Sequence, residues 1–320
     1  MKRCVMTVLL VLAVACPELA KTYNVSVNQF VEHPSLDAVL KGFKDSLKAQ
    51  GVDAKFSVHN AQANMATCNQ IASRIAGENP DLVLAIATPS AQACAVATKK
   101  SPILAGSPLL FTAITDPVGA GLVDDLEKPG KNITGVSDML PVREHMAMLR
   151  RFYPGLKKIG MIYNAGEANS KTTVAMVKAE GERAGFEVVE ATVAKTSDVY
   201  QAAKSLVGKV DAVYLPTDNT VISALESVVK VCEQEKLPVF SADVDSVKRG
   251  TVAALAFDYY QHGYQTGLMA KRIMVDGVFP AETPVETQQE LVLHLNLKAA
   301  KKIGVKVPED VRKDADKVYE

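Results

Sequence analysis

One pattern constrains this chain more than any other: a strand-then-helix series that runs through once and then starts again. Strand-like apolar segments at 23–30, 54–58, 82–87 and 109–115 alternate with helix-like segments at 36–50, 63–76 and 90–98. A second series has strands at 158–163, 186–193, 212–215 and 239–242, and helices at 172–184, 199–207 and 221–235. Landmarks in the two series keep a steady offset. Phe30 and Asn164 lie about 134 positions apart, as do Gly51 and Gly185. Asp81 and Asp211 lie about 130 apart, as do Pro108 and Pro238. Short continuous apolar runs such as 82–87 mark strands buried on both faces. Alternation with helices implies parallel sheets covered by helices. The expected fold is therefore α/β, with two similar doubly wound parallel-sheet lobes. The later segments at 251–257, 260–275, 290–294 and 297–303 are too few for a third domain. They must return to complete both lobes, which makes a hinge of several strands. The expected division is 21–138 plus about 256–283 for lobe one, and 139–255 plus about 284–320 for lobe two.

Composition closes off other classes. Hydrophobic residues make up 48% of the 320, enough to build a core and to oppose disorder. Lys+Arg and Asp+Glu are both 36, with no clustered basic block, which opposes a nucleic-acid binder. Only the N-terminus carries a sustained apolar run, which opposes a multi-span membrane protein. That run, 5–15, follows Lys2 and Arg3 and ends in Ala13-Val14-Ala15. It reads as a secretory signal within 1–20, placing the mature chain outside the cytoplasm, in the periplasm. Cys16 after Leu12-Ala13-Val14-Ala15 also suggests a lipid anchor, although Ala13 stands where such signals usually carry Leu.

Open parallel sheets take ligands at the carboxyl ends of their strands. In lobe one that edge holds Phe30, Glu32 and His33, then Thr88, Pro89 and Ser90, then Thr115 and Asp116. In lobe two it holds Tyr163, Asn164, Glu167, Asn169 and Ser170, then Thr217, Asp218 and Asn219, then Asp243. Asp258 and Tyr259 follow the late strand. Hydroxyls at helix starts suit a carboxylate, acidic side chains suit an ammonium, and rings suit an apolar side chain. The set fits a zwitterion, with Thr88 and Ser90 for the carboxylate, and Asp218, Glu167 or Asp258 for the ammonium. Phe30, Tyr163 or Tyr259 would flank the ring. Each residue also has a plain structural reading as a cap, turn or core residue.

Enzyme signatures are weak: there is no G-x-S-x-G elbow, no phosphate-binding loop and no zinc spacing. No catalytic residue, metal or cofactor is expected. Helices after strands two and three of a doubly wound sheet lie side by side, and they carry Cys68 and Cys94. Export permits a disulfide between them, leaving Cys232 free.

Several runs are then familiar as a group. They are Val31-Glu32-His33-Pro34-Ser35-Leu36-Asp37-Ala38, Ala87-Thr88-Pro89-Ser90-Ala91-Gln92 and Thr115-Asp116-Pro117-Val118-Gly119-Ala120 in the first lobe. Asn132-Ile133-Thr134-Gly135-Val136-Ser137-Asp138 follows. Tyr163-Asn164-Ala165-Gly166-Glu167-Ala168-Asn169-Ser170 and Pro216-Thr217-Asp218-Asn219-Thr220-Val221 lie in the second. The chain resembles the ABC-transporter substrate-binding proteins of the tryptophan/tyrosine-uptake type, along essentially its whole mature length. The resemblance implies a type I periplasmic-binding-protein fold and a small ligand, commonly an aromatic amino acid, captured by hinge closure. It implies a membrane permease as partner and a monomeric chain. With no Trp in the chain, ring stacking would fall to Phe or Tyr. The competing expectations are a ligand sensor that docks on a membrane receptor, or a periplasmic enzyme on the same fold.

Overall fold

The structure, a computed structural model, describes residues 21–320, so the export signal and Cys16 lie outside the described residues. The first series is β1 (Tyr23–Gln29), α1 (Pro34–Ala49), β2 (Ala54–Asn60), α2 (Met65–Ile75), β3 (Leu82–Ile86), α3 (Thr88–Lys100), α4 (Pro102–Gly106), β4 (Leu109–Ile114) and β5 (Ile133–Ser137). The second is α5 (Val142–Phe152), β6 (Lys158–Asn164), α6 (Ala168–Ala184), β7 (Glu187–Val193), α7 (Val199–Leu206), β8 (Ala212–Leu215), α8 (Asn219–Ser223), α9 (Leu225–Glu235), β9 (Val239–Ser241), α10 (Asp245–Lys248) and β10 (Ala253–Ala256). The chain ends with α11 (Tyr259–Met274), β11 (Glu286–Thr287), β12 (Val292–Asn296), α12 (Leu297–Ile303), α13 (Glu309–Asp314) and β13 (Lys317–Tyr319).

Two sheets result. The first runs β11-β5-β4-β3-β1-β2 and is parallel throughout. The second runs β13-β12-β10-β9-β8-β6-β7, with β12 antiparallel to β10. Central strands β3, β4 and β8 are buried at every position, as sheets covered on both faces require. The chain passes between the sheets three times: after Ser137, after Ala256 and after Thr287. The last passage comes later than the boundary expected near 283, because β11 adds an edge strand to the first sheet. One further expectation shifts, and one strand was not expected. The helix expected over 221–235 is broken at Ala224 into α8 and α9. Strand β5, which no apolar run announced, ends directly before Asp138.

α1 shows why the first lobe holds its shape. Pro34 opens it, and Leu36, Val39, Phe43 and Leu47 repeat at helical spacing and are buried. Its other neighbour is α11, which packs on it backbone to backbone. A Cβ on Gly42 would overlap the carbonyl of Tyr260, and one on Gly263 would overlap the carbonyl of Val39. Gly263→Ala must therefore push the two helices apart. We expect it to cost at least about 3 kcal/mol of stability, the upper end for overpacking, read by urea denaturation. A loss under about 1 kcal/mol would contradict this close approach.

The disulfide expectation gives way. Helices α2 and α3 do lie side by side, but Cys68, Cys94 and Cys232 are all free and buried. The Asn28 amide from β1 lies against both sulfurs, with Nδ2 at 3.6 Å from Cys68 Sγ and 3.5 Å from Cys94 Sγ. Burial pushes the Cys94 and Cys232 thiols up to about 12, so neither is a ready thiolate. Without reductant, all three should resist alkylation in the native protein and all label after denaturation. Labelling of Cys232 alone would restore the bridge.

Candidate functional site

The two sheets present their carboxyl edges to one another across a cleft. Its wall is built from first turns of helices and from the residues directly after strands. His33, Ser35 and Leu36 come from the start of α1, and Ala113 and Thr115 from the end of β4. Asp138 follows β5, Asn169 opens α6, Thr217 follows β8, and Asn219 and Ile222 lie on α8. Asp243 follows β9, and Tyr259 opens α11. The two lobes are drawn together so closely that little free space remains between these walls.

Two hydrogen-bonding contacts close this cleft from side to side. Ser35 Oγ donates to Asp243 Oδ1 at 2.9 Å, and the hydroxyls of Thr115 and Thr217 meet at 3.5 Å. Asp138 is oriented by its own lobe: the Tyr259 hydroxyl donates to Oδ2 at 2.7 Å, and Thr115 Oγ1 to Oδ1 at 3.3 Å. Burial and the Asp138 carboxyl together hold the Tyr259 phenol well above its ordinary range, so it stays a donor. Asp243 also accepts from the backbone and hydroxyl of Ser246. Burial lowers His33 to about 4, which keeps the ring neutral at physiological pH. Among the described residues lining the cleft there are thus two carboxyl groups and no Lys or Arg.

Two buried polar atoms of the lining lack a partner: His33 Nδ1 and Asn169 Oδ1. The Asn169 amide is fixed by its other end, since Nδ2 donates to the Thr217 carbonyl at 2.8 Å. Its oxygen is therefore left to accept from whatever enters. Buried polar atoms of this kind nearly always have a partner, so these two are free to bond water or a ligand in the cleft.

The structure brings together seven of the residues read from sequence: His33, Thr115, Asn169, Thr217, Asn219, Asp243 and Tyr259. It places the others elsewhere. Glu167 is saturated within lobe two, accepting from Asn219 N and Nδ2, from Thr220 N and Oγ1, and from Asn169 Nδ2. Asp218 caps α8 through Val221 N and also accepts from Asn164 N and Ser170 Oγ. Asp258 is exposed and caps α11. The three carboxyls expected to meet an ammonium are all helix-start fasteners instead. Tyr163 donates to Glu190, and Ser90 donates to Asn28 inside the first core. Thr88 and Pro89 are buried at the start of α3, Glu32 is exposed, and Asp116 closes a turn onto Gly119 N. Phe30 and Asn164 line a separate surface groove with Glu167. Of the cleft residues that sequence reasoning did not assign, Asp138 matters most. Its signal was a polar strand hidden by Thr134, Gly135 and Ser137.

The comparisons with known proteins bear on this cleft. Residues 24–319 match the family model described as ABC transporter substrate binding protein. The chain belongs to that family. It is 40% identical over 280 residues to the Tyrosine-binding protein of Clostridioides difficile (strain R20291), covering 86% of this chain and 79% of that protein. It is also similar to the crystal structure of an ABC domain in complex with L-Trp from Streptococcus pneumonia. There the identity is 36% and the TM-score 0.86, over 92% of this chain and 99% of that one. A ligand-free, open substrate-binding protein with adhesive properties from Clostridium difficile aligns at 38% identity and TM-score 0.68, over 93% and 99%. This substrate-binding protein thus has the two-lobe α/β fold expected from the doubled series. Among the described residues, no group of three His, Cys, Asp or Glu side chains could hold a metal ion, and no helix is long and apolar enough to cross a membrane.

Proposed function

We propose that this substrate-binding protein takes an aromatic amino acid, tryptophan or tyrosine, into the interlobe cleft and delivers it to a membrane permease. The observation that carries the ligand class is the pair Asp138 and Asp243, buried at 2% exposure each in a lining without a cation. A carboxyl pair so enclosed is costly unless a positive group joins it, and an α-ammonium supplies one. Asn169 Oδ1 adds a neutral acceptor. Thr115 and Thr217, one from each lobe, are placed to share the carboxylate. Leu36, Ala113 and Ile222 give the apolar wall, with Tyr259 as the ring.

Support for the closed state comes from the two contacts that span the cleft. It also comes from the higher TM-score to the tryptophan complex than to the open relative, at nearly equal identity. Ligand would dock on one lobe, and closure would then complete the site and exclude water. The export signal read in the sequence supports an extracytoplasmic, periplasmic location, and the working form in this reading is a monomer. Native mass spectrometry of the mature protein, followed by calorimetry with L-tryptophan and L-tyrosine after refolding, tests the reading. The expected result is one equivalent of one of these ligands. Absence of heat and of any thermal shift with both would overturn it.

A further inference from the structure

His262 lies outside the cleft lining, fully buried in the second turn of α11. Its two ring nitrogens reach in different directions. Nε2 accepts from the backbone N–H of Ala113 at 3.0 Å, and Nδ1 faces Gln288 Oε1 at 3.2 Å. The first bond fixes the tautomer: Nε2 is bare, so Nδ1 carries the proton and donates to Gln288.

Ala113 needs this acceptor. The β4–β5 ladder slips between Thr112 and Ile114, so Ala113 is the extra residue of a bulge. Its φ is +56°, a left-handed conformation unusual for a residue other than glycine. A bulged residue drops out of the ladder, and its N–H would be orphaned in the core. His262 satisfies it. The bulge in turn aims Ala113 and Thr115 at the cleft.

Gln288 sits on the third passage between the lobes, directly after β11. Its Nε2 donates to the carbonyl of Asp258 on the second passage at 3.4 Å. One imidazole therefore joins the cleft wall to two of the three hinge passages. The helix that carries it is locked onto α1, whose first turn forms another part of that wall.

We propose that His262 is a positioning residue for ligand capture: it holds the Ala113 bulge against the hinge at Gln288, so that cleft wall and hinge move together. The ligand readout rests on the aromatic amino-acid reading above. The test compares His262→Phe, which offers neither bond, with His262→Gln, which retains an acceptor and a donor, and with Gln288→Leu, which cuts only the hinge arm. The probes are L-tryptophan and L-tyrosine by stopped-flow and calorimetry, with amide exchange at Ala113.

Losing the acceptor of a buried N–H should weaken binding about tenfold or more in H262F, mainly through a faster off-rate, with faster exchange at Ala113. H262Q should stay within about threefold and keep Ala113 protected. Q288L should keep Ala113 protected yet release ligand several times faster, because hinge and wall are uncoupled. Equal losses in H262F and H262Q would reduce His262 to packing and overturn the proposal, as would a wild-type off-rate in Q288L. If H262F does not fold, H262Q and Q288L still decide. If the wild type ignores both amino acids, the ligand reading falls, and Ala113 exchange in H262F against H262Q still tests the hold on the bulge.

Discussion

Asp138→Asn is expected to weaken binding of L-tryptophan and L-tyrosine about a hundredfold or more, with little loss of stability. Asparagine keeps the shape and one acceptor for the Tyr259 hydroxyl or Thr115, so the end of β5 stays in place. What it removes is charge. Breaking a buried ion pair by removing one partner costs about 3–5 kcal/mol, and about 1.4 kcal/mol is tenfold in affinity. The full cost would exceed a hundredfold, and the remaining Asp243 and Asn169 offset part of it. Calorimetry with the variant checks this, beside Asp258→Asn as an exposed control. An affinity for D138N within about threefold of wild type would show that the ammonium does not sit at Asp138.

Glu167→Ala is expected to act on the fold of lobe two before any ligand is present. Its carboxyl gathers five donors from the starts of α6 and α8. Truncation leaves the N–H groups of Asn219 and Thr220 buried without acceptors. At about 1–3 kcal/mol for each orphaned group, the total is on the order of 3–5 kcal/mol, or about 10 °C in the melting midpoint of the ligand-free protein. The pH dependence should change too. Burial first, and the neighbouring Glu167 second, push Asp218 from 3.8 up to about 8. A carboxyl raised on folding contributes stability that is full below its unfolded value and lost as pH rises through the folded one. Wild type should therefore lose this contribution between pH 3.8 and about 8, and the decline should be shallower in E167A. Urea denaturation across that window reads both. An unchanged midpoint in E167A would contradict the capping role and return Glu167 to the ligand.

The doubled α/β frame was legible because central parallel strands leave continuous apolar runs, as 82–87 and 212–215 show. β5 was not, because Gly135 and two hydroxyl residues break its apolar signature. Gly135 is there for packing: a Cβ would overlap the carbonyl and ring of Phe111 on β4. Missing that strand also hid Asp138 at its end.

The edge of the sheet was legible as the edge that faces the cleft, yet the places of its carboxyls were not. Asp218, Glu167 and Asp258 sit beside helix starts, and so does Asp243; sequence position does not tell a cap from a cleft wall. Only the direction of each side chain separates them. The cysteine pair failed for a similar reason. Topology placed the helices correctly, but the Asn28 amide that lies against both sulfurs comes from a third element.

The most direct measurement is calorimetry of L-tryptophan and L-tyrosine, each beside its analogue lacking only the α-ammonium. A cleft built on Asp138 and Asp243 predicts stoichiometric binding of at least one amino acid and no measurable binding of its des-amino analogue. Equal affinity for the two would contradict it.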